Sequence, residues 1–76
     1  MNTELAKTMK TKISDEIYTL TDFIEGIEKT IRDGGQNEKQ FNLLCKSLST
    51  VITAREVLFE RLESLEKTIS NSGPFM

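Results

Sequence analysis

Residues 13–31 read ISDEIYTLTDFIEGIEKTI, and their apolar positions decide the fold. Ile13, Ile17, Leu20, Ile24, Ile27 and Ile31 follow one another in steps of 4, 3, 4, 3 and 4 residues. That is the heptad stripe of one helix face, whereas a strand alternates every second residue. Isoleucine is a middling helix former, but a phase kept over this length outranks propensity. Ser14, followed by Asp15 and Glu16, reads as a helix start, because acids suit the positive N-terminal end. The spacing therefore predicts a first helix whose firm part covers about 14–32. Leu5 and Met9 continue a four-residue step behind Ile13, which leaves open an earlier, fraying start of the same helix or a short extra N-terminal helical segment.

Asp33-Gly34-Gly35 closes that helix, since glycine enters the left-handed conformation without a Cβ clash. In the turn at 33–37, Asn37 offers a side-chain oxygen to the next helix and Gln40 stands three residues on, a variant of the capping box. Glu38 adds a charge that suits the helix dipole. The second stripe runs Phe41, Leu44, Leu48, Val51, Arg55, Leu58, Leu62, Leu65 and Ile69, which predicts a helix over about 38–69. Ser70-Asn71-Ser72-Gly73-Pro74 stops it and leaves 70–76 as a flexible tail. Two amphipathic helices on a short connector become antiparallel neighbours. The expected fold is all-α: one two-helix antiparallel hairpin, coiled-coil-like, filling the whole chain as a single domain.

A hairpin has one seam, and the second helix carries more apolar surface than one seam can hide. Cys45, Ile52 and Phe59 stand seven residues apart in a row beside it, and Phe23 flanks the seam of the first helix. Burying side chains of this size is worth roughly 1.5–3 kcal/mol each. These residues, with Arg55, are the candidate partner-binding set. Cys45 reads as a small core hydrophobe rather than a nucleophile, because Lys46 is its one basic neighbour in sequence. The competing bland reading folds the basic N-terminal segment back over the row. Arg55 occupies a seam position where leucine belongs. It either snorkels, pairs with an acid of the first helix, or meets a partner.

Composition narrows the rest. The chain has 76 residues, one cysteine, one proline and no histidine, so neither an internal disulfide nor a histidine base is available. A single core this small rarely supplies more than about 3–5 kcal/mol unaided. Association is the expected remedy: alone, the chain should form a symmetric dimer that buries the Cys45, Ile52 and Phe59 row. The Asp15/Glu16 and Glu60/Glu63 pairs read as solvated faces, the Asp-Gly-Gly run lacks a phosphate-loop pattern, and no cofactor or metal is implied. An enzyme is therefore not expected. The net charge of −2 lacks the basic footprint that nucleic acid requires. Charge is uneven, with +2 over 1–12, −4 over 13–33 and 0 over 34–69. No apolar run is long enough to span a membrane and no secretory signal is legible, so a cytoplasmic location is expected.

Asp33-Gly34-Gly35, followed by the helix start Lys39-Gln40-Phe41, resembles the small co-chaperones of type III secretion needle subunits, the YscE/PscE-like family. The resemblance covers about residues 13–66. The chain differs from that pattern in its longer second helix and its Pro74-Phe75-Met76 ending. The resemblance implies a cytoplasmic virulence-associated co-chaperone that binds and stabilises a tetratricopeptide-like, helical-repeat chaperone. Together the pair would keep the needle subunit unpolymerised before export. An alternative of another class is a small phage or mobile-element helical protein that binds and inhibits or regulates a host protein. A self-assembling needle-like subunit ranks lower, because the turn carries glycines where such subunits carry proline.

Overall fold

The computed structural model describes residues 3–71, and the side chain of Asn71 is outside that description. Two helices, α1 (Thr3–Asp33) and α2 (Glu38–Asn71), lie antiparallel along their lengths. The result is an all-α hairpin, a rod of 59 × 14 × 14 Å. Most of the long dimension is helix, since 31 and 34 residues at about 1.5 Å each give roughly 46 and 51 Å.

The turn is built as its residues require. Gly34 and Gly35 have φ of +76° and +87°, the left-handed region that a Cβ disfavours. The Gly34 amide donates to the Ile31 carbonyl at 3.2 Å, and the Gln36 side-chain amide donates to the Thr30 carbonyl at 2.6 Å. Two carbonyls left open at the end of α1 are thereby satisfied. The start of α2 is a reciprocal cap. The Gln40 amide donates to Asn37 Oδ1 at 2.8 Å, and the Asn37 amide donates to Gln40 Oε1 at 3.1 Å. Lys29 and Asp33 pair at 3.0 Å one turn before the glycines.

The first helix starts at Thr3 and not near Ser14, which sits inside it. No separate N-terminal segment exists among the described residues: 3–12 simply continue α1. The cause is packing at the open end of the hairpin. Ala6 is completely buried, Leu65 of α2 is 7% exposed, and Lys10 pairs with Glu66 at 3.5 Å. Alanine lets the two backbones approach where a larger side chain would hold them apart. The reading that folds the N-terminal segment over the Cys45 row fails for the same reason. At the other end, Ser70 and Asn71 belong to α2, so only 72–76 of the expected tail remain, and those lie outside the described residues.

The core is a single thin seam. Among the described residues the buried hydrophobes are Ala6, Ile17, Ile24, Ile27 and Leu65. Ile13, Leu20, Ile31, Leu44, Leu48, Val51, Leu58, Leu62 and Ile69 are half-buried, so both stripes face each other as their periodicity predicts. Phe41 is an exception. It stands in the first turn of α2, at the edge of the seam, and remains 43% exposed. Cys45 is also not a core residue: it is exposed.

Candidate partner-binding faces

Seven-residue spacing sorts the exposed side chains of α2 into rows, because seven residues make nearly two whole turns. One row is Cys45, Ile52, Phe59 and Glu66. Cys45 is exposed, Ile52 half-buried and Phe59 50% exposed, and Glu66 ends the row in its bridge to Lys10. Arg55 lies between this row and the seam. Its guanidinium donates to Thr21 Oγ1 at 3.3 Å, while the Thr21 hydroxyl donates to the Ile17 carbonyl at 2.8 Å. The hydroxyl thus uses its proton toward its own helix and a lone pair toward Arg55. Of the three sequence options, Arg55 takes a position combining snorkelling with an intramolecular contact, but to a hydroxyl and not to an acid. The other donors of its guanidinium have no hydrogen-bond partner among the described residues.

Phe23 does not share this face. It is two residues from Thr21, about 200° around α1, so the two side chains leave the seam on opposite sides. Phe23 is 56% exposed and borders a groove with Leu43, Lys46, Ser47, Thr50 and Val51. The row Leu43, Thr50, Val57 and Ser64 carries that side along α2 into a second groove, where Val57, Glu60 and Ser64 meet Met9 and Ile13 of α1. The five residues named from sequence therefore divide. Cys45, Ile52, Arg55 and Phe59 belong to one flank, and Phe23 to the other.

The second flank exposes more large apolar side chains, and Phe23 is the one of them that the sequence analysis places in the binding set. Leu5, Met9, Phe23, Leu43 and Val57 are 38–57% exposed along it, whereas the Phe59 flank exposes Phe41, Phe59 and Cys45. The 43–50–57–64 spacing is the signal that finds it, diluted by Thr50 and Ser64 in the same row. Tyr18, at 72% exposure, stands apart on the outward face of α1.

Among the described residues no cluster of three or more Cys, Asp or Glu side chains could hold a metal ion. No described helix is long and apolar enough to cross a membrane. No family model matches the chain, nor does any curated protein or solved structure.

Proposed function

We propose that the chain is a cytoplasmic co-chaperone of a type III secretion system, acting as the helical hairpin that covers an apolar face of a helical-repeat chaperone. The pair would hold the needle subunit unpolymerised before export. The observation that carries this reading is the Phe59 flank. Ile52 and Phe59 stand beside an arginine whose guanidinium has donors to spare, on a rod too thin to bury them itself. The turn adds support through the resemblance it carries, with Gly34-Gly35 ahead of a capped Lys39-Gln40-Phe41 helix start. The chemistry is association alone: a ligand that binds the folded chaperone stabilises it by mass action, with no bond made or broken.

Co-expression with the helical-repeat chaperone and needle subunit of a type III secretion system from the same genome tests the reading. A co-eluting complex that the wild type forms and Phe59→Asp loses is the expected result. An unpaired carboxylate in a closed interface typically costs several kcal/mol, while the free hairpin tolerates it at a half-exposed site. Circular dichroism of Phe59→Asp should therefore remain helical. No complex with the wild type, or equal binding by Phe59→Asp, overturns this reading.

A further inference from the structure

The flank opposite Phe59 has a pattern that is complementary to itself. We infer that it is a homodimer face, on which a second copy of this chain packs antiparallel to form a four-helix bundle. This is a different face from the Cys45, Ile52 and Phe59 row on which sequence alone places a dimer, and the inference does not depend on the secretion reading.

Two observations carry it. The first is charge. Lys46 borders the Phe23 groove and Glu60 borders the Met9 groove, on the same side of α2. They are fourteen residues apart in one heptad row, with Thr53 midway. Among the described residues, neither forms an ion pair within the chain. A two-fold axis level with Thr53 brings α2 antiparallel to its copy and sets Lys46 against the copy's Glu60, and Glu60 against the copy's Lys46. An isologous interface must be self-complementary in this way. The same axis sets Thr50 against the copy's Val57 and Leu43 against the copy's Ser64. Arg61, one row nearer the seam, then faces the copy's Ser47, away from a like charge.

On α1 the register agrees. Arg55 reaches Thr21, and Phe23 borders Thr50 and Val51, so Thr53 is level with Thr21 to Phe23 across the hairpin. The axis therefore passes close to Phe23 and brings the two copies' rings side by side. The second observation is apolar exposure along the full length of the flank. The flank runs the whole 59 Å length of the rod, so a second copy lying along it has contacts from end to end. Leu5, Met9, Phe23, Leu43 and Val57 distribute apolar surface along all of it. Pairing there leaves Ile52, Arg55 and Phe59 open for another protein.

Sedimentation equilibrium of the full chain across a concentration series tests this with charge reversals at exposed sites. Lys46→Glu and Glu60→Lys, made singly, each place two like-charged pairs across the axis and should weaken the dimer about five- to tenfold. The double variant Lys46→Glu/Glu60→Lys restores both pairs with reversed sign, so its dimer constant should return to within about twofold of the wild type. Phe23→Asp should leave a monomer, and Phe59→Asp should leave the dimer intact. Circular dichroism on every variant separates lost association from lost folding. A wild type that is monomeric throughout overturns the inference. So do single reversals without effect, a double variant as weak as the singles, or a dimer that Phe59→Asp abolishes and Phe23→Asp does not.

Discussion

Phe23 and Ile24 are adjacent in sequence and differ by about 100° around α1. Ile24 is 4% exposed and Phe23 is 56% exposed. A large single-domain protein has layers enough to bury both, but a hairpin offers each helix one neighbour. Helix phase alone then separates residues that hold the fold from residues left for something else. The same division repeats on α2, where Leu58 is half-buried and Phe59 is 50% exposed.

The largest departure from an exposure rule is expected at the turn. Gly34 and Gly35 are exposed, as Phe23 is, and a Cβ at either meets nothing within 4 Å. Even so, replacing both with alanine should cost about 2 kcal/mol, because the strain lies in the backbone and not in packing. Thermal melting should show the loss with helix content nearly unchanged. An unaltered melting curve breaks the claim that the turn is coded by conformation.

Arg55 gives a smaller effect of opposite sign. It is a half-buried cation at a seam position, partly desolvated for one hydrogen bond to Thr21. Arg55→Leu should stabilise the hairpin by about 1 kcal/mol in urea denaturation, by burying an apolar side chain where a cation stood. The same variant should bind a helical-repeat partner more weakly. A loss of stability instead makes the Arg55–Thr21 contact structural. Gly26 gives the smallest change. It lies inside α1 with open space around it and no positive φ. Gly26→Ala should add about 0.8–1 kcal/mol from helix propensity alone, read as a higher midpoint in urea.

What was legible in the sequence follows from locality. The glycine turn and the Asn37–Gln40 cap are local devices, so they read correctly to the residue. The two stripes read correctly because a 3–4 step leaves little choice of face. The start of α1 is legible only in part: the Leu5, Met9 and Ile13 step points to an earlier beginning, but what holds it is Ala6 against the far end of α2 and the Lys10–Glu66 bridge, and both are tertiary. An acidic pair after Ser14 resembles a start but sits mid-helix. The phase of Cys45, beside the seam, agrees with its exposure, and it is the reading of its side chain as a small core hydrophobe that the structure corrects. Leu43 and Val57 are not legible as a row, because Thr50 and Ser64 interrupt it. Grouping Phe23 with Phe59 failed for a geometric reason: each flanks the seam, but on opposite sides of it.

The adjacent pair in α1 gives the most direct test of the central claim, that one seam holds the fold while the flanks are free for association. Urea denaturation of Ile24→Asp and Phe23→Asp, followed by circular dichroism at concentrations too dilute for self-association, compares the two positions with the same side chain. An unpaired carboxylate among Ile17, Ile27 and their α2 partners should leave Ile24→Asp without a cooperative helical transition. Phe23→Asp should keep the wild-type helical signal and lose no more than about 1 kcal/mol. If both variants unfold, or both melt like the wild type, the division between seam and flank is wrong.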